Sequence, residues 1–82
     1  MSQRSDHVAV QYRVAFGKND EAVEGPDGAD VVVTIAAADA GIEPSVAFMQ
    51  GKLKAAGHTG VLFEVLRNGE AAAAISRLAS RP

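Results

Sequence analysis

Between His7 and Phe16 the side chains alternate without a break. Val8, Val10, Tyr12, Val14 and Phe16 fall on one side of an extended chain, and Ala9, Gln11, Arg13 and Ala15 on the other. A period of two predicts a β-strand with one buried face. Gly17-Lys18-Asn19-Asp20 supplies turn residues, Glu21 to Glu24 predicts a short returning strand, and Gly25-Pro26-Asp27-Gly28 breaks the chain again. After Asp30, the run Val31-Val32-Val33-Thr34-Ile35 is β-branched and apolar on both sides, which predicts a strand flanked by sheet neighbours and covered by a helix.

Ala36 to Ala40 is only weakly periodic, and Gly41 interrupts it. Pro44 suits the first turn of a two-turn helix with Val46, Phe48 and Met49 along one side and Gly51 as its C-terminal stop. Lys52-Leu53-Lys54-Ala55 alternates once more and predicts a strand with Leu53 facing the core and the lysines facing water. Thr59 is expected to cap the next helix, in which Val61, Leu62, Val65 and Leu66, with Phe63 beside them, form a wide apolar stripe. Asn68-Gly69 ends or kinks that helix, and Glu70 to Ala79 resumes a helical pattern with Ile75, Leu78 and Ala79 on one side. Three or four strands and three short helices, with no internal repeat or linker, predict an α+β domain with helices over one face of a sheet. Residues 7–82 are expected to form this single domain and residues 1–6 a disordered tail.

Composition narrows the function classes. At 82 residues there is room for one small core, and without cysteine neither disulfides nor a thiolate zinc site can reinforce it. Ten acidic against eight basic side chains give a net charge of −2, which argues against nucleic acid or an anionic lipid surface as a partner. The apolar residues are mostly Ala and Val and aromatics reach only 5%, so a core of small residues can leave a cavity. No apolar run approaches the roughly 18 residues of a membrane span, and no stable membrane insertion is expected. No secretory signal or peroxisomal address is visible and cysteine is absent, so the cytoplasm is the default expectation.

The run Ala29-Asp30-Val31-Val32-Val33-Thr34-Ile35, then Glu43-Pro44-Ser45-Val46-Ala47-Phe48-Met49-Gln50-Gly51-Lys52-Leu53-Lys54, then Gly57-His58-Thr59-Gly60, resembles the sterol carrier protein type-two (sterol-binding) domain. Ala47-Phe48-Met49-Gln50-Gly51-Lys52-Leu53-Lys54 is the most specific part, and the likeness covers roughly residues 30–66. The resemblance implies a mostly antiparallel sheet of up to five strands. It also implies a hydrophobic tunnel between sheet and C-terminal helix that takes up sterols, fatty acids, acyl thioesters or phospholipids. Such a carrier is no enzyme and needs no cofactor. It needs an apolar cavity, where each buried CH₂ contributes about 0.8 kcal/mol. Phe48, Met49, Leu53, Val61, Leu62, Phe63, Val65 and Leu66 are the residues expected around it, with Gln50 as a polar contact. Compared with the family, the chain has little before its first strand, and residues 36–42 are short by about two helical turns. Both differences remove tunnel wall, so the cavity is expected to be open and shallow or covered by a second copy in a homodimer.

Other readings remain open at the level of sequence. The Val61 to Leu66 stripe also reads as plain core, Met49 as a gap-filling core methionine, and Gln50 as serving the last carbonyls of its helix. Lys52 and Lys54 suit either a lipid head group or a solvated edge strand. His7 and His58 lack partners at metal-ligand spacing, and no serine lies in a nucleophile elbow. Gly57 to Gly60 offers backbone N–H groups at a helix start, a place where an anion can sit. Two rivals to the carrier follow. One is a structural protein that uses the apolar surface for self-association or docking; the other is an accessory enzyme with His58 as acid or base.

Overall fold

The computed structural model describes residues 9–80. The Met1–Asp6 tail, His7 and Val8 lie outside them. Strands β1 (Val10–Gly17), β2 (Asp20–Glu24), β3 (Val31–Ala36) and β4 (Leu53–Gly57) form one sheet in the order β2-β1-β3-β4. The pairs β1–β2 and β3–β4 are antiparallel, and β1–β3 is parallel. Helices α1 (Pro44–Met49), α2 (Thr59–Arg67) and α3 (Glu70–Ala79) complete the described part of the fold, with a 3₁₀ turn at Ala37–Asp39. The architecture is therefore α+β, a mixed, mostly antiparallel four-stranded sheet with helices on one face.

The alternation read in the sequence decides which face is covered. Tyr12 and Val14 from β1, Val31, Val33 and Ile35 from β3 and Leu53 from β4 are buried together with Leu62, Val65 and Leu66 of α2 and Ile75 of α3. Burial of a Leu or Ile side chain contributes about 1.5–3 kcal/mol, so this shared cluster holds the layers together. Ala71 and Ala74 of α3 are fully buried, which brings the backbone of that helix close to the sheet. The small residues thus serve close approach of a helix, where the composition had suggested unfilled space.

β3 lies between β1 and β4 and is covered by helices on one face, its Val32 and Thr34 half-buried on the other. Two local expectations change. Gln11, on the polar side of β1, is buried because the Gly25 to Asp30 loop folds over it: its Nε2 donates to Pro26 O and Asp27 Oδ1, both at 3.2 Å. Its Oε1 accepts from Arg13 Nε at 2.8 Å, which leaves its amide matched on both ends. His58, and not Thr59, is the N-cap of α2, its Nδ1 accepting from the Val61 N–H at 3.3 Å. Thr59 becomes the first helical residue.

Candidate groove between the first two helices

Helix α1 is fixed at both ends by its sequence. Glu43 caps it, Oε1 accepting from the Val46 N–H at 3.1 Å, and Pro44 starts it with a preset φ. Gly51 ends it at φ +77°, the left-handed conformation that glycine adopts without a Cβ clash. The chain then returns directly into β4, Lys52 N–H donating to Ala47 O at 2.9 Å. With α2 following β4 after one capping residue, α1 and α2 lie side by side.

Their junction is an open apolar groove of about 470 Å³ lined by Ser45, Phe48, Met49, Phe63, Leu66 and Arg67. Phe48 and Phe63 meet edge to face, ring centroids 5.9 Å apart and planes at 83°. That geometry suits the ring quadrupoles and stiffens the groove floor. Phe63 is still 49% exposed, Val46 43% and Met49 84%. Arg67 stands in the last turn of α2, and its Nη2 donates to Glu64 Oε1, so its charge is compensated on its own helix. The walls are therefore apolar with a rim of little net charge.

Of the nine residues expected around a ligand, eight separate into two groups of four and Gln50 belongs to neither. Phe48, Met49, Phe63 and Leu66 line the groove. Leu53, Leu62 and Val65 are buried in the common core beneath it, and Val61 packs against that core. Gln50 is exposed at the C-cap of α1, outside the groove wall. The place expected for the ligand, between sheet and C-terminal helix, is thus where the core cluster lies, and the groove sits one layer further out, between two helices. On α1, Val46, Ala47, Phe48 and Met49 are consecutive and all apolar, so the sequence marks no single inward side. The smallest of them, Ala47, is the one turned fully inward.

Ser45 and Arg67 belong to the groove and were not picked out in the sequence. Arg67 follows Phe63 at i+4, the spacing that stacks side chains on one helical face, and could have been found that way. Lys52 and Lys54 are exposed, and Lys54 borders a shallow depression with Val32 and Thr34 on the open face of the sheet. Gly57 is held to glycine by close packing, since a Cβ there would stand 1.9 Å from Asp30 O. His58 spends Nδ1 on the cap. Among the described residues no three His, Asp or Glu side chains converge as a metal site would require, and no helix is long and apolar enough to cross a membrane. Comparison with family models, with curated proteins and with solved structures finds no match for this chain.

Proposed function

We propose that this chain is a non-catalytic binding domain that holds a hydrophobic small molecule, or the hydrocarbon part of a larger one, in the α1–α2 groove. The observation that carries the reading is the groove itself: two aromatic rings, Met49 and Leu66 form a concave apolar wall that the protein leaves open to water. Removing hydrocarbon from water against such a wall contributes about 0.8 kcal/mol for each CH₂ fully covered, and no charged or reactive group is needed. Met49 adds an unbranched, polarisable side chain that adapts to differently shaped guests. The resemblance of residues 30–66 to the sterol carrier domain points toward the same class of ligand, with the site displaced outward from the sheet.

A titration with dansylaminoundecanoic acid tests this. The wild-type chain at low micromolar concentration is expected to enhance and blue-shift the probe emission. Phe63→Glu places a carboxylate in the wall from a half-exposed position, so it should keep the far-ultraviolet dichroism and weaken binding by roughly tenfold or more, about 1.4 kcal/mol. Unchanged affinity in that variant, or no binding by the wild type, overturns the proposal.

A further inference from the structure

We infer that in the ligand-free protein the groove is covered by a second copy of this chain, Met49 of each copy seated in the groove of the other about a two-fold axis. A ligand in the groove and the partner copy would then exclude each other. The exclusion rests on the function proposed above, and the pairing does not.

The surface chemistry selects this occupant. Among the described residues the exposed large apolar side chains are Val23, Val46, Met49 and Phe63, and three of these four belong to α1 and α2 around the groove. Met49 is both part of the groove wall and almost wholly in water, so each copy carries a projecting apolar knob beside a concave apolar surface. A knob and a hollow on one patch are what an isologous contact requires, since the same patch must meet itself.

The charges obey the same symmetry. Glu64 and Arg67 are one turn apart on α2, both exposed, at 54% and 75% of their side chains, and Arg67 forms the rim of the groove. Glu64 and Arg67 are already paired within their own helix, and a two-fold axis crossing α2 between them lays one such ion pair on the other with opposite charges facing. The net charge of −2 is too small to keep two copies apart. A contact confined to two short helices of each copy makes the pairing weak and concentration-dependent.

Sedimentation velocity between about 10 and 500 µM, a range bracketing weak dimers, is the test. The wild type should pass from monomer to dimer, and Met49→Asp should stay monomeric with unchanged dichroism. Glu64→Arg and Arg67→Glu should each weaken pairing by roughly tenfold, and the double exchange should restore it, because like charges face one another in the single variants only. Saturating dansylaminoundecanoic acid should return the dimer to monomer. A monomer throughout, assembly beyond a dimer, a dimer indifferent to Met49→Asp, or a double exchange that fails to restore pairing overturns the inference. A dimer that binds the probe and stays intact overturns the exclusion. A dimer with no probe binding at any concentration leaves the pairing standing and removes the ligand proposal, whereas a probe-binding monomer does the reverse.

Discussion

Tyr12 carries the single phenol of the chain, and its hydroxyl is buried on the helix-facing side of β1 with no hydrogen-bond partner among the described residues. Burial, helped by the negative charges of Glu70 and Glu24 and opposed by Arg77, pushes its pKa from the ordinary 10.0 up to about 12. The folded state therefore favours the neutral phenol. This preference is fully present below pH 10 and is lost as the unfolded chain, and then the folded one, ionises. With one tyrosine and no tryptophan, ultraviolet titration reads this group alone: a native midpoint near 12 should fall to about 10 in urea. A native midpoint at the ordinary value would place the ring in water. The same orphaned hydroxyl makes Tyr12→Phe neutral or stabilising, by up to about 1 kcal/mol at pH 7 in urea denaturation, because an unpaired buried O–H is itself a cost. That Tyr12 points inward follows from the alternation of β1. That its hydroxyl lacks a partner depends on what α3 brings opposite it, which no local pattern encodes.

Strands, turns and helices differ in how far local pattern could define them. β1 and β4 follow from period two, β3 from its β-branched run and β2 from the turn residues on either side of it, and the Asn68-Gly69 break appears as Gly69 at φ +86° ahead of α3. The orientation of α1 does not follow, since six residues with four consecutive apolar ones give no unique inward face. Nor does the junction at Asp30, where three strand ends meet. Asp30 N–H donates to Ala9 O, its carboxylate accepts from Ala9 N–H, and its carbonyl accepts from His58 N–H, each at 3.0 Å. The last of these draws the end of β4 against the start of β3, and only a residue without Cβ fits at position 57, where φ is +113°. Gly57→Ala should therefore cost more than about 3 kcal/mol through combined backbone strain and collision. Gly28→Ala is the control: φ is +74° but nothing lies within 4 Å of the added methyl, so the cost should stay near 1 kcal/mol. Equal losses in urea denaturation would mean that β3 and β4 do not approach at Asp30 as closely as described.

Across the whole molecule the helices divide the sheet between them. α3 packs on β1 and β2, whereas α1 and α2 occupy the β3–β4 side, where the groove opens. The α3 half is tied by an ion pair spanning 53 positions in sequence, Arg77 Nε and Nη2 donating to Glu24 at 3.2 and 2.5 Å. The hydrogen bond from Arg77 holds the Glu24 carboxyl below its ordinary 4.5, against a smaller opposing effect of burial. A lowered folded-state pKa contributes stability above the unfolded value that is lost as pH falls through the folded one. Glu24→Gln should accordingly be less stable than wild type at pH 7. The gap between their urea midpoints should begin to close below pH 4.5 and vanish once the wild-type carboxyl is protonated in the folded state. Both side chains are substantially exposed, so the gap should be modest and should also shrink in high salt. A gap that persists at the acid end would assign the loss to packing and not to charge. Because this tie lies on the β1–β2 half, Glu24→Gln should leave probe affinity at pH 7 unchanged. A parallel fall in affinity would mean that α3, which packs against α2, transmits strain through it into the groove.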